Sequence, residues 1–222
     1  NLDAEISILK NWDGRMSTDS IGASLFEVFF TNWTKEVASA RFPANLVPLM
    51  AGAASGLSTQ LITEDPYDWF SSGERAKAAH RAMEKTIDDL YKDAGQDKSK
   101  WNWGAIHKVH LHHPLSELGQ IFNRLSRGGQ GVGGSGITVS NTGFDPNYLA
   151  VMGANYRLVA DLSDDPPGLW AVDAAGQSGN PGSVNYCDQL DSWMQNSQHF
   201  IALDRKQVDE NTTAKLIIRS SR

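Results

Sequence analysis

The sequence predicts an α+β chain, with helices in its first half and antiparallel strands in its second half. In the first hundred residues, apolar side chains recur at the three- and four-residue spacing of an amphipathic helix. After Lys100 a glycine-rich stretch is followed by short apolar runs that alternate with turn residues, which is typical of strands. We therefore expect a mainly helical region at 1–100 and a mainly β region at 101–222. The 222 residues are enough to bury a sizeable core.

Composition and charge exclude several classes of protein. The chain has 20 Lys and Arg against 26 Asp and Glu, a formal net charge of −6, so it lacks the basic surface that binds nucleic acid. No apolar stretch approaches the roughly 18 residues that a membrane-spanning helix needs. The single cysteine, Cys187, cannot form an internal disulfide, which leaves both oxidising and reducing compartments open.

Two helices are predicted before residue 40. Ile6 and Leu9 share one face of an amphipathic stretch near the start of the chain. Apolar residues at helical spacing from Ile21 to Val37 predict a longer second helix, with Ser17 or Asp19 as its N-cap.

A third long helix is predicted between Ser71 and Gly95. Ser71 and Glu74 have the spacing of a capping box, and Gly95 is a typical C-terminal stop. The small residues at 51–58 predict a loop or a short helix that packs closely. The apolar stripe of the third helix is predicted to comprise Ala76, Ala79, Met83, Ile87 and Leu90.

The second half is predicted to contain a flexible glycine-rich loop at Gly128 to Gly136, five strands and a short helix from Asp188 to Trp193. The adjacent apolar residues Leu158 and Val159 favour a strand that is covered on both faces. A turn is expected at 141–143. The predicted strands are Ile137–Val139, Tyr156–Leu162, Trp170–Val172, Phe200–Leu203 and Leu216–Ile218.

Four histidines in one segment, His107, His110, His112 and His113, raise the question of a metal site. On a strand His110 and His112 would face one side and Val109 the other, so two imidazoles could converge. No Cys, Asp or Glu in that segment completes a tetrahedral set. We therefore favour a polar strand face without a metal.

Neither of two glycine-containing motifs is complete. The glycine-rich loop could cradle an anion, but it lacks the lysine and Ser/Thr of a P-loop and no helix follows it. Ser178 lies in Gly-Gln-Ser-Gly, where a hydrolase nucleophile elbow needs a second glycine at position 180 and this chain has Asn180. Ser178 is therefore not expected to be a nucleophile.

Charged residues around 157–165 are the remaining candidates. Arg157 and Asp161 alternate onto one side of their strand, so each should be paired or hydrogen-bonded. Asp161, Asp164 and Asp165 form a dense acidic turn, which Pro residues stiffen without adding ligands. We interpret it as a surface turn and expect no metal site. The residues alone thus contain no complete catalytic set.

Four ordered segments nevertheless resemble the penicillin acylase family of N-terminal-nucleophile hydrolases, in the later part of its β chain. Together they span most of the chain in the family's order and spacing. They are LKNWDGRM at 9–16, WGAIH at 103–107 with HPL at 113–115, NYRLVADL at 155–162, and GQSGNPGS at 176–183 followed by DQL at 188–190.

The resemblance implies an αββα fold in a periplasmic or secreted precursor that cleaves itself to expose a serine at the β-chain N-terminus. That serine attacks an amide carbonyl, with its own α-amino group as the base and with backbone N–H and Asn groups holding the oxyanion. An α-amino group has a reference pKa near 8, which suits a general base at working pH.

This chain begins with Asn1, so the nucleophile, the oxyanion-hole Asn and the family's calcium ligands are expected upstream. No catalytic, cofactor or metal residue is then expected here, except Asp161 as a supporting residue near the catalytic centre. The expected partners are the upstream half of the precursor and a small N-acyl substrate such as a β-lactam or an acyl-homoserine lactone. The alternative is a homologous segment that only binds or supports. Without the upstream half, the isolated segment should expose an apolar patch and self-associate.

Overall fold

The computed structural model describes residues 2–163 and 165–220, apart from the side chain of Ile121. It confirms the α+β class. None of the described helices is both long and apolar enough to cross a membrane.

The helices are α1 (Asp3–Lys10), α2 (Ile21–Ser39), α3 (Val47–Ala53), α4 (Ser55–Thr63), α5 (Glu74–Ala94), α6 (Trp103–Ile106), α7 (Leu190–Met194) and α8 (Arg205–Asn211). The strands are β1 (Lys108–Leu111), β2 (Arg127–Gly131), β3 (Thr142–Phe144), β4 (Ala150–Gly153), β5 (Tyr156–Asp161), β6 (Gly168–Asp173) and β7 (His199–Phe200).

Helices α2 and α5 pack against each other and form the centre of the helical region. Their apolar faces enclose a core that contains Leu25, Leu90 and Trp103. A second cluster surrounds Trp33, whose indole N–H donates to the carbonyl of Ser58 at 2.8 Å. Because their large side chains are almost fully buried, these clusters supply most of the hydrophobic stabilisation of this region.

The N-cap of α2 is Ser20, so the prediction of Ser17 or Asp19 is wrong. The Ser20 side chain accepts a hydrogen bond from the Ala23 N–H at 3.1 Å. Only the residue directly before the first helical turn places its side-chain oxygen within reach of that N–H.

The predicted start of α5 is wrong, whereas its predicted end is confirmed. The helix begins after Gly73 at φ +76°, and no side chain caps it, so the predicted capping box is wrong. Ser71 instead accepts the Glu74 N–H through its backbone carbonyl at 2.9 Å. Gly95, at φ +87°, ends the helix as predicted.

The buried face of α5 is rotated from the predicted stripe, since Ala76 is exposed. Thr86 lies on this face because its hydroxyl donates to the Ala82 carbonyl at 2.7 Å, which satisfies the polar group inside the core. The buried residues are Ala78, Ala82, Met83, Thr86 and Leu90. The small-residue segment 51–58 lies in the short helices α3 and α4.

The strands form a four-stranded sheet in the order β2-β1-β4-β3 and a three-stranded sheet in the order β5-β6-β7. Strands β1 and β4 are parallel, whereas the other pairs are antiparallel. The prediction of purely antiparallel strands is therefore wrong at this one pair.

The glycine-rich segment is not a flexible loop, because its first part is strand β2. A Cβ on Gly128 would lie 2.1 Å from the carbonyl oxygen of Val109, and one on Gly131 would lie 2.5 Å from that of Gly104. These glycines allow the close approach of backbones that β2 requires.

Two predicted strands are wrong. Ile137–Val139 is a turn, since the Thr138 hydroxyl donates to the Ser140 carbonyl at 2.8 Å and accepts from the Ser135 N–H at 2.9 Å. Leu216–Ile218 has no regular secondary structure and pairs with no strand in the described chain. The expected turn at 141–143 is also wrong, because β3 begins there, and the strand predicted at Phe200–Leu203 is only the two-residue β7.

The adjacent apolar residues of β5 predict a strand covered on both faces, but the described residues do not cover it. Leu158 is 50% exposed and its neighbour Val159, which points to the opposite face, is 52% exposed. The strand is also at the edge of its sheet, with β6 on one side only. Both faces and one edge of β5 are therefore open.

Candidate functional site

A cavity of about 370 Å³ lies between β1 and the loop that follows β6. Its volume is in the range of small-molecule sites. Two of the sequence segments that carry the family resemblance, 113–115 and 176–183, contribute to its wall although they are some 60 residues apart in the chain. The lining residues are His110, Leu111, His112, His113, Pro114, Leu125, Arg127, Val151, Ala175, Gly176, Ser178 and Tyr186.

The DQL segment holds the loop after β6 in place. The Gln189 side-chain oxygen accepts the Asp173 N–H at 2.9 Å, and the Gln189 N–H donates to the Ala175 carbonyl at 3.0 Å. A Cβ on Gly176 would lie 2.3 Å from the Asn185 carbonyl oxygen, so only glycine fits this wall. These contacts therefore shape the wall of the cavity.

Arg127 and Tyr186 form one side of the cavity. The guanidinium carbon of Arg127 lies 4.6 Å from the centre of the Tyr186 ring, and the Tyr186 hydroxyl donates to the Leu125 carbonyl at 2.7 Å. Nη1 of Arg127 donates to the Ser126 carbonyl at 2.9 Å. No carboxylate in the described chain lies within ion-pair distance of this guanidinium.

The histidines fall into two groups. His110 and His112 face the same side, as the alternation predicts, with ring centres 5.7 Å apart. Nδ1 of His113 accepts the Leu115 N–H at 3.2 Å, and Nε2 of His112 lies 3.7 Å from the Glu117 carboxylate. Within residues 2–163 and 165–220, no three His, Cys, Asp or Glu side chains are grouped to hold a metal ion.

His107 belongs to the core instead. Its Nδ1 is 2.8 Å from the Tyr148 carbonyl oxygen, and its ring stacks on Trp103 with centres 4.4 Å apart. Burial lowers the pKa of His107 to about 4, and the hydrogen bond to the Tyr148 carbonyl only partly opposes this shift. The ring is therefore neutral at pH 7, and it donates from Nδ1.

Asp161, the predicted supporting residue, lies at the end of β5 and is exposed. Its Oδ1 accepts hydrogen bonds from the hydroxyl and the backbone N–H of Ser163, at 2.6 and 2.9 Å. These two bonds hold the pKa of Asp161 below its ordinary value. Asp161 does not line the cavity, and Asp164 of the acidic turn lies outside the described residues.

Arg157 is hydrogen-bonded, as expected for a charged group in the sheet, but not to Asp161. Its Nη1 donates to the Trp193 carbonyl at 2.8 Å and to the Asn196 side-chain oxygen, and its guanidinium lies 4.4 Å from the Trp193 ring centre. Nε and Nη2 are buried and have no hydrogen-bond partner in the part of the chain that the structure describes. Burial lowers the pKa of Arg157.

Ser178 lines the cavity without a base beside it. Its hydroxyl oxygen accepts the Asn180 N–H at 3.1 Å, and no described imidazole or carboxylate is hydrogen-bonded to it. The described residues thus bring together an apolar cavity with a cationic side, and they do not assemble a nucleophile and base.

Sequence reasoning missed Arg127, Tyr186 and Glu27. Glu27 is the one acid among the buried residues of α2, and in the sequence it stands inside the apolar run LFEVFF at 25–30, which is a usable signal. Burial raises its pKa to about 7, while a hydrogen bond with Ser135 opposes the rise. Arg127 and Tyr186 carry no signal of their own, because they are 59 positions apart in the sequence and only the fold stacks them.

Comparisons with known proteins place the chain in one family. The family model described as penicillin amidase matches residues 1–210. Acyl-homoserine lactone acylase QuiP from Pseudomonas putida is 28% identical over 208 residues, which cover 83% of this chain and 24% of that protein. Penicillin acylase 2 proenzyme from Pseudomonas sp. strain SE83 is 28% identical over 195 residues, which cover 82% of this chain and 24% of the relative.

A solved structure shows the same fold. The thermostable penicillin G acylase from Alcaligenes faecalis superposes with a TM-score of 0.57 and 13% identity, covering 100% of this chain and 43% of that one. The chain spans about a quarter of the length of the curated relatives it matches. Since the family model matches nearly the whole sequence, the chain belongs to the penicillin amidase family.

Proposed function

We propose that these residues are the C-terminal part of a self-processing amidohydrolase that cleaves the amide bond of N-acyl compounds such as β-lactams or acyl-homoserine lactones. The observation that carries this proposal is the family match over residues 1–210, with relatives that are named acylases. The match covers only about a quarter of those relatives, which leaves room for the catalytic serine outside these residues.

In the proposed reaction the N-terminal serine of the mature chain attacks the amide carbonyl, and its own α-amino group takes the hydroxyl proton. The amine leaves with that proton, and water then hydrolyses the acyl ester to release the carboxylic acid. The residues described here supply no group to these steps. Their proposed role is to support the catalytic half and to form part of a substrate wall.

The partner of this segment is proposed to be the remainder of the same polypeptide, packed on the β5–β7 sheet. The open faces and edge of β5 support this, because an exposed apolar edge strand is otherwise a site of aggregation. Asp161, at the end of β5, would then lie where the two parts meet and is proposed to support the catalytic centre.

A periplasmic or secreted location is proposed with the family resemblance as its support. The check is fractionation of the native cells with antibody against this segment. Recovery in the cytoplasmic fraction alone would contradict it.

The test of the function uses the complete protein as its gene encodes it. Mass spectrometry should find two chains, with serine at the N-terminus of the one that contains residues 1–222, and the protein should hydrolyse an N-acyl-homoserine lactone or a penicillin. Replacing that serine with alanine should abolish both cleavage and hydrolysis, whereas Ser178→Ala should leave both unchanged. An uncleaved protein without hydrolase activity would favour the non-catalytic binding or structural alternative.

A further inference from the structure

We propose that the cavity between β1 and the loop after β6 binds a small carboxylate with an apolar body, and that Arg127 holds its charged end. The inference does not rest on amide hydrolysis by the protein.

The charge of the cavity points to an anion. The chain has an excess of six acidic over basic residues, yet none of the Asp or Glu residues that the structure describes lines this cavity. Its lining contains one arginine and three histidines. A cation on an apolar wall without a carboxylate partner is a site where an anionic ligand gains a charge-assisted hydrogen bond.

The geometry of Arg127 suits a carboxylate in particular. The stacking of its guanidinium on Tyr186, together with the Nη1 bond to the Ser126 carbonyl, holds the planar group in one orientation. Tyr186 is itself fixed by its bond to the Leu125 carbonyl. A guanidinium held in this way loses little side-chain entropy when it binds the two oxygens of a planar carboxylate.

The rest of the lining suits an apolar body. Leu111, Leu125 and Val151 face the same cavity, and its volume of about 370 Å³ exceeds what a bare inorganic anion fills. His113 adds one more donor, because its Nδ1 accepts the Leu115 N–H, so the neutral ring carries its proton on Nε2. A medium-chain carboxylate such as octanoate has both a charged end for Arg127 and an apolar body for the rest of the cavity.

The test is isothermal titration calorimetry of octanoate with the complete protein. Arg127→Gln should weaken binding about tenfold or more, since it removes the charged donor. Arg124→Gln is the matched control, because Arg124 is an exposed arginine three residues away that does not line the cavity, and it should bind octanoate as the wild type does. Neutral 1-octanol should bind more weakly than octanoate.

A second variant guards against loss of folding in Arg127→Gln. Val151→Asp puts a carboxylate at the partly exposed rim of the cavity and should abolish octanoate binding while thermal melting shows a folded protein. The proposal is overturned if the wild type does not bind octanoate, for instance because other parts of the protein fill the cavity. It is overturned equally if both variants bind octanoate as the wild type does, or if 1-octanol binds as tightly.

Discussion

The helical region around α2 and α5 and the β5–β7 sheet bury their apolar residues to very different extents. In the helical region Leu25 and Leu90 are almost completely buried, and their neighbours come from the same chain. In the sheet, apolar residues on both faces of β5 are about half exposed, although β5 and β6 pair along all six residues of β5. The first region is closed by its own sequence. In the sheet, β6 buries Ala171 and Val172, whereas β5 has backbone order without side-chain cover.

This difference separates two sources of stability. Backbone pairing alone gives β5 a fixed register, but hydrophobic stabilisation requires that apolar area leave water. We therefore expect the helical region to be stable by itself and the sheet to depend on additional chain packed against it.

The largest expected effect is the difference in unfolding free energy when the same Leu→Ala substitution is made in each region. Leu25→Ala should lower the free energy of unfolding by about 2–5 kcal/mol, because it leaves a cavity in a closed core. Leu158→Ala, the same change on exposed β5, should cost the isolated 222-residue chain less than about 1 kcal/mol. Urea denaturation measures both. Equal losses would show that the two regions do not differ.

The buried carboxyl group of Glu27 makes the stability of the helical region depend on pH. Its pKa in the folded chain, about 7, is above the ordinary 4.5, so folding favours the protonated carboxyl. The resulting stabilisation is fully present below pH 4.5 and is lost as the pH rises through 7, with a fall of about 3 kcal/mol in the free energy of unfolding. Glu27→Gln should remove this fall and exposed Glu84→Gln should not. If the unfolding free energy of Glu27→Gln fell with pH as that of the wild type does, Glu27 would not be the group responsible.

The exposed sheet should make the isolated chain associate. Apolar side chains on both faces of an edge strand favour pairing with a second copy. Sedimentation velocity at micromolar concentration should show dimers or larger species. A double variant, Leu158→Lys with Val159→Lys, should shift the chain towards monomer, and a wild-type chain that is monomeric throughout would count against an uncovered sheet.

Asp161 is expected to give the smallest structural effect. Its side chain bonds only to Ser163 in the described structure, so Asp161→Asn should change the melting temperature little. If the proposed supporting role is correct, kcat of the complete enzyme should fall while folding is unchanged. Lost stability with unchanged kinetics would assign it a structural role instead.

The sequence predicts what depends on local patterning. The α2 and α5 helices, the stop at Gly95 and strands β5 and β6 follow from periodicity and turn chemistry. One prediction fails because of a distant segment: Gly128 becomes part of a strand because Val109 approaches it. Another fails because of local hydrogen bonds outside the periodic pattern: Ile137–Val139 becomes a turn because the Thr138 hydroxyl bonds nearby backbone. The cavity depends on contacts between residues some 60 positions apart, so no local pattern reveals it.

Hydrogen exchange, measured by mass spectrometry on the isolated chain and on the complete protein, tests the central claim most directly. We predict that amides of α2 and α5 are protected in both, whereas those of β5 exchange rapidly in the isolated chain and become protected in the complete protein. Equal exchange of β5 in the two samples would contradict the claim that the rest of the polypeptide covers this sheet.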